Sequence, residues 1–200
     1  MKKIGLCLLT VVMLTSVFGC AREDNYSGVV VDKYGVPHFT LKYYDDNRGR
    51  KHFPQVIEPR GEKLLIFDPK VEAWAAYDAK GHRVMTGRGS GGSRYCKGTE
   101  EDCRTPSGLF RVYRKRGADC RSGEFKDPDG KGARMPYCMY FYNGNTIHAG
   151  YGLGGHGSHG CIRVLESAAK WLNESFIEKG TQIYVMSYDE EEILKKRKPK

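Results

Sequence analysis

The chain has 200 residues, 40% of them hydrophobic, with two tryptophans and a formal charge of +9. That length suffices for one well-buried domain, and the apolar content excludes wholesale disorder. Twenty-five glycines and thirteen tyrosines, against few long apolar helical patterns, point to short strands joined by turns.

Met1-Lys2-Lys3 is a short basic start, Ile4 to Leu14 is an apolar stretch too short to span a bilayer, and Val17-Phe18-Gly19-Cys20 closes it. Residues 1–19 therefore read as an export signal. A small residue directly before Cys20 resembles a bacterial lipobox, whose cysteine is lipidated and becomes the mature N-terminus. Phe18 is bulky for that pattern, so ordinary cleavage near Gly19 is the alternative. Ala21 after Cys20 is similar to outer-membrane lipoproteins of Gram-negative cells. The expected location is the periplasm, with the protein anchored through lipid on Cys20, or else soluble or secreted. Loss of Lys2 and Lys3 with the leader lowers the charge to +7. The excess includes Arg111, Arg114, Lys115 and Arg116, which suit an anionic envelope polymer or lipid surface. Export argues against nucleic acid as a partner.

Residues 20–61 form a polar, aromatic N-terminal segment, expected to be partly flexible, with short strands at Val29 to Val31 and Phe39 to Tyr44. No chemistry is legible there. The main domain is expected over 62–187. Lys63 to Phe67, Ala73 to Tyr77 and Arg83 to Met85 read as successive strands with a hairpin turn at Asp78-Ala79-Lys80-Gly81. Gly87 to Gly92 holds four glycines but lacks the Gly-Lys-Ser/Thr ending of a phosphate loop, and is expected to be a flexible connection. Thr105-Pro106-Ser107-Gly108 feeds an alternating strand, Leu109 to Tyr113. Tyr137 to Tyr142 and Thr146 to His148 continue the β pattern. One helix is predicted over 167–177, with Ala168, Trp171, Leu172, Ser175 and Phe176 on one face and Gly180 as its stop. Gln182 to Met186 is a closing strand. Residues 188–200 form a charged tail, in which Glu191 to Lys195 and Glu192 to Lys196 are spaced for pairing on a short solvated helix. The fold class is mainly β, a sandwich or barrel with one helix on its rim.

The chemistry concentrates in Ser158-His159-Gly160-Cys161, with His148 upstream on a strand. A thiol is a nucleophile as its thiolate, and a free cysteine with a pKa of about 8.5 needs a neighbour to ionise it near neutral pH. An imidazole can do that. Gly160 lets the backbone turn sharply before Cys161 and aim amide groups at the carbonyl under attack. A zinc site built from His148, His156, His159 and Cys161 is the competing reading. It is disfavoured because no second cysteine stands at Cys-x-x-Cys spacing and a metal would quench the sulfur.

Cysteine parity supports the nucleophile. Of the seven cysteines, Cys7 lies in the leader and Cys20 is assigned to lipid, leaving an odd number in an oxidising compartment. Cys96 with Cys103 and Cys120 with Cys138 are the economical loop-closing bridges, although four cysteines admit three connectivities. Cys161 is then left over, for chemistry or for an intermolecular bond.

Taken together, Thr105-Pro106-Ser107-Gly108-Leu109-Phe110, Met135-Pro136-Tyr137, Ile147-His148 and Ser158-His159-Gly160-Cys161-Ile162-Arg163 resemble the bacterial L,D-transpeptidases over about residues 62–187. The resemblance implies the catalytic fold of that family and action on peptidoglycan stem peptides. Cys161 would attack the carbonyl between a diamino acid and a terminal D-alanine, release D-alanine and hold a thioester until an amine resolves it. It implies His148 as proton acceptor and donor and His159 as stabiliser of the loop and thiolate, roles that sequence alone leaves interchangeable. Backbone amides of Gly160 and Cys161 would hold the oxyanion. Ser158, Arg163 and Tyr137 are placed at the substrate, with Ser158 also bracing the loop. Arg163 as a structural ion-pair partner and Tyr137 as a packing residue are the alternatives. His156 is expected to face solvent or touch substrate. No cofactor and no metal are implied. A water-resolved carboxypeptidase or cross-link hydrolase, and a non-catalytic envelope-binding lipoprotein, remain open, as does the oligomeric state.

Overall fold

A computed structural model describes residues 26–31, 37–41, 47–96, 101–151 and 153–188. The leader over 1–19, Cys20 and the tail residues 189–200 lie outside the described residues. Strands β1 (Tyr26–Val31) and β2 (Pro37–Leu41) pair antiparallel, and a short helix α1 (Asn47–His52) follows. An antiparallel meander comes next, built from β3 (Leu64–Asp68), β4 (Ala73–Tyr77) and β5 (Arg83–Ser90). Strand β4 is buried at every position because both of its faces are covered. Trp74 and Ala76 enter the main core, while Ala73, Ala75 and Tyr77 pack with Phe53 in a second one. The Tyr77 hydroxyl donates to the Pro54 carbonyl at 2.8 Å, so the chain from residue 49 to 61 is fastened to the main sheet.

Beyond the meander come β6 (Gly108–Arg111), β7 (Arg114–Lys115), β8 (Arg121–Lys126), β9 (Gly132–Arg134), β10 (Met139–Tyr142), β11 (Asn145–Ala149), β12 (Ile162–Val164) and β13 (Gln182–Val185). Nine strands form one sheet in the order β6-β13-β3-β4-β5-β12-β11-β10-β7. Its outermost strands, β6 and β7, are joined by Val112 and Tyr113 alone, a connection that spans at most roughly 10 Å. The sheet must therefore curl until its edges nearly meet. Val112 sits at the seam: its N–H donates to the Thr181 carbonyl at 3.0 Å and its carbonyl accepts from Gly180 at 2.7 Å. Tyr113 N–H donates to Tyr140 at 2.9 Å on the other side. The result is mainly β, a curled half-barrel as the strand pattern implies, with the core inside the curl.

Helix α2 (Glu166–Trp171) runs into a π-helical turn over Leu172–Phe176 and fills the open side. Its buried face is Ala168, Ala169, Leu172, Asn173 and Phe176, not the predicted stripe, for Ser175 is exposed. The polar member of that face is accommodated by hydrogen bonds. Asn173 Nδ2 donates to the carbonyls of Arg116 at 3.1 Å and Tyr137 at 3.2 Å. Lys115 Nζ caps the helix end by donating to Asn173 and Ile177 carbonyls. Burying Leu172 and Phe176 contributes about 1.5–3 kcal/mol each.

The glycine-rich stretch after residue 86 is not a flexible connection. Residues 87–90 are strand within β5, with Gly87, Gly89 and Ser90 buried, and Gly87 is glycine because the Trp74 ring lies across it. A Cβ at Gly87 would come within 2.6 Å of that ring. Gly87→Ala should destabilise the fold by about 1–3 kcal/mol through overpacking, measured as a shift of the denaturant midpoint.

Candidate active site

Strands β11 and β12 are parallel neighbours, with Ile147 opposite Ile162 and His148 opposite Arg163. A parallel pair needs a long connection that returns the chain to the same end of the sheet. Here that connection is the loop over 150–161, which carries Ser158, His159 and Gly160. Extending the register places Cys161 beside Thr146, on the same face as His148 and Arg163. At about 3.3 Å per residue and 4.8 Å between strands, the Cα atoms of Cys161 and His148 lie about 8 Å apart, within side-chain reach.

A cleft of about 810 Å3 opens over this face, lined by His148, Ser158, His159, Cys161 and Arg163. Apolar walls come from Phe125, Met135, Pro136, Tyr151, Leu153 and Leu165. Cys161 is the free cysteine among the described residues, while Cys96 is bonded to Cys103 and Cys120 to Cys138, with Cα separations of 5.2 and 6.1 Å.

His148 is buried, 6% exposed, and its Nδ1 lies 2.7 Å from the Ala149 carbonyl. A carbonyl only accepts, so Nδ1 bears the proton and the Nε2 lone pair is left available. Burial lowers the His148 pKa to about 4, against the raising effect of that hydrogen bond and with a smaller lowering by the Arg163 charge. Burial also pushes the Cys161 thiol up, which a Thr146 hydrogen bond and Arg163 oppose and Glu124 reinforces. The resting pair is neutral thiol with neutral imidazole, not a preformed ion pair.

The turn before Cys161 is built by Ser158 and Gly160. Gly160 has φ +108°, and a Cβ there would strike the Asn145 amide at 2.8 Å, so both conformation and space require glycine. Ser158 is 3% exposed; its hydroxyl donates to the Cys161 carbonyl at 2.5 Å and accepts from Gly160 N–H at 3.1 Å. Two expectations change as a result. Gly160 N–H is engaged with the Ser158 hydroxyl and so is not free as an oxyanion donor, and Ser158, which also lines the cleft, spends its hydroxyl on bracing the turn. The same turn is anchored behind by Ser93 N–H donating to the Ser158 carbonyl at 3.0 Å.

The remaining predicted residues separate clearly. The Arg163 stem lies along Gly150, where a Cβ would come within 2.8 Å, and its guanidinium makes no hydrogen bond or ion pair among the described residues. It is a cation presented to the cleft. His159 is exposed, and Phe125 stacks on it with ring centroids 4.4 Å apart. Tyr137, with φ +59°, packs against the main core and is not among the residues lining the cleft. His156 neither faces solvent freely nor reaches the cleft: Nδ1 accepts from Gly91 N–H and Nε2 donates to the Pro69 carbonyl, both at 3.0 Å.

Sequence reasoning missed the β8–β9 hairpin that brings Phe125 over the site. Its signal was Asp127-Pro128-Asp129-Gly130, a turn tetrapeptide in which Gly130 has φ +76° and donates to the Asp127 carbonyl at 2.9 Å. Arg121 clips the hairpin through Asp127 at 3.2 Å and the Gly132 carbonyl at 2.7 Å.

The family model for the L,D-transpeptidase catalytic domain (YkuD) matches residues 28–185. The chain belongs to the L,D-transpeptidase family. The match reaches upstream of residue 62, into the N-terminal segment. Among solved structures, an L,D-transpeptidase from Xylanimonas cellulosilytica is 24% identical with a TM-score of 0.56, covering 68% of this chain and 66% of that one. One from Stackebrandtia nassauensis is 22% identical at TM-score 0.55, covering 70% and 62%. L,D-transpeptidase 3 from Mycobacterium tuberculosis, solved with a faropenem-derived adduct, is 16% identical at 0.51, covering 62% and 60%. These likenesses carry the curled fold, and the chain spans less than two thirds of each of those structures. No curated protein matches the chain.

The neutral burial of His148 in this L,D-transpeptidase domain fixes the sign of its pH response. Its folded pKa of about 4 lies below the unfolded value of about 6.5, so the unfolded chain binds the proton first. Its contribution is complete above pH 6.5 and is lost as pH falls toward 4, a decline of about 3 kcal/mol from this group. Urea denaturation between pH 4 and pH 7 should show that slope, and His148→Gln should flatten it.

Proposed function

We propose that the protein is a peptidoglycan L,D-transpeptidase that works through a thioester on Cys161. The observation that carries the reading is the free Cys161 sharing one cleft face with His148, whose exposed-lone-pair nitrogen is set by the Ala149 hydrogen bond. As the sulfur attacks the carbonyl joining a diamino acid to the terminal D-alanine, its proton passes to His148 Nε2. The Cys161 backbone amide stabilises the oxyanion. Collapse breaks the carbon–nitrogen bond, and the proton held on His148 goes to the departing D-alanine amine. An acceptor amine then attacks the thioester, gives its proton back through His148, and the thiol is restored. Energy of the cleaved amide is conserved in the thioester, so no nucleotide is consumed. Arg163 grips a stem carboxylate, and His159, held under Phe125, steadies the loop.

Faropenem, whose derivative is bound to the mycobacterial relative, is a convenient acyl probe. Intact-mass measurement should show one adduct mapping to Cys161, absent in Cys161→Ala and formed at least about a hundredfold more slowly in His148→Ala. Retained adduct in Cys161→Ala overturns the mechanism. With a stem tetrapeptide, an added amine should divert product from hydrolysis to a cross-linked species. A product mixture indifferent to the amine identifies a carboxypeptidase instead.

The same proposal includes export by the leader and lipid on Cys20, placing the enzyme at the outer membrane facing its polymer. Fatty-acid labelling of intact cells should mark the protein and be lost in Cys20→Ser.

A further inference from the structure

Behind the turn that carries Cys161 lies a second, smaller cavity of about 270 Å3 that the acyl-transfer chemistry does not use. It is lined by Pro69, Lys70, Glu72, Arg94, Arg104, His156 and Tyr188, three cations against one carboxylate. Lys70 and Arg94 are exposed, and neither forms an ion pair among the described residues. Arg104 is held in place: its guanidinium pairs with Asp102 at 2.5 Å and lies over the Tyr188 ring, 5.9 Å from the centroid. The Tyr188 hydroxyl accepts from Thr105 N–H at 3.3 Å, and its ring meets His156 edge-on at 4.9 Å.

The floor is rigid for the same reason that His156 is unavailable to the cleft. Its two ring nitrogens join the Pro69 carbonyl of the β3–β4 turn to the Gly91 amide at the end of β5. Gly91 accepts in turn from Ser158 N–H at 3.3 Å. The cavity is thus built on the back of the segment that carries Cys161, with Arg104 held on its wall and Lys70 and Arg94 at its exposed rim. The exposed Lys70 ammonium and the Arg94 guanidinium, which lies over the Tyr95 ring, meet the Asp102-paired Arg104 at this space and favour an anion that can accept several charge-assisted hydrogen bonds.

We propose that this cavity is a docking site for a free carboxylate of a peptidoglycan stem peptide other than the one being acylated. The inference rests on the proposed peptidoglycan substrate, whose stems end in carboxylates and recur along each strand. Its volume admits about one amino-acid residue with its terminal carboxylate. Lys70 and Arg94 supply the mobile cations, Arg104 the fixed one, and Tyr188 with His156 close the wall. Engagement there holds the polymer against the enzyme while a different stem occupies the cleft, and so raises the local concentration of reacting stems.

The test is retention of the full chain on purified peptidoglycan sacculi, read beside faropenem capture by intact mass. The double variant Lys70→Ala, Arg94→Ala should bind sacculi about tenfold more weakly while capturing faropenem at the rate of the unaltered protein. Capping sacculus carboxylates with ethanolamine should weaken the unaltered protein by a similar factor and leave the double variant nearly unchanged. Equal retention of the unaltered protein and the double variant overturns the proposal. So does indifference to capping, which assigns retention to glycan or surface charge. Stronger retention after Glu190→Gln, Glu191→Gln and Glu192→Gln also overturns it, because the cavity then serves the acidic run that follows Tyr188 in this chain. Failure of faropenem capture in the unaltered protein strikes the proposed acyl transfer and is read separately from retention.

Discussion

The parallel pairing of β11 with β12 is the constraint on which the site depends. An antiparallel pair would have been joined by a tight turn, leaving His148 and Cys161 at positions fixed by a hairpin. Parallel pairing instead obliges the chain to leave the sheet after Ala149 and return to the level of Thr146. The returning loop delivers Cys161 at the sheet end on the face that already holds His148. Ser158, Gly160 and the strand end at Gly91 then serve to hold that loop at one height. The β8–β9 hairpin and the Met135-Pro136 segment that follows it supply the facing wall of the cleft.

Desolvation sets the electrostatics of the pair. Both His148 and Cys161 respond first to burial, then to a backbone hydrogen bond and only after that to neighbouring charge, so each favours its neutral form. Arg163 acts on both, disfavouring the imidazolium of His148 and favouring the thiolate of Cys161. Glu124 on the hairpin opposes it at the sulfur. An ion pair at rest would require those weaker charge effects to outweigh the loss of water around two groups, which they do not. At rest both groups therefore favour the uncharged state.

Much of this was legible in the chain itself. The meander, the closing strand and the Ser-His-Gly-Cys segment follow from local pattern and residue chemistry. What was not legible depends on contacts between distant residues. Gly87 looks like a flexible element until the Trp74 ring is seen across the sheet. The helix ends lie within a residue of the expected 167–177, yet its buried face differs because Asn173 is buried while its side-chain amide donates to the carbonyls of Arg116 and Tyr137. Gly160 was rightly taken as the turn residue, but its amide partner, the Ser158 hydroxyl, lies two residues away in a geometry that sequence spacing does not define. His156 reads as a loop histidine, and only the meeting of Pro69 and Gly91 makes it a clasp. The hairpin carrying Phe125 had a readable turn, obscured by the polar composition around it.

The seam at Val112 has a bearing on how the sheet meets other chains. Strand rims are sticky templates for foreign chains, and a nine-stranded sheet would ordinarily present two of them. Here the rims are a four-residue and a two-residue strand, brought together so that Val112 bonds to one side and Tyr113 to the other. Little ladder is left on the nine-stranded sheet for an intruding polypeptide to extend.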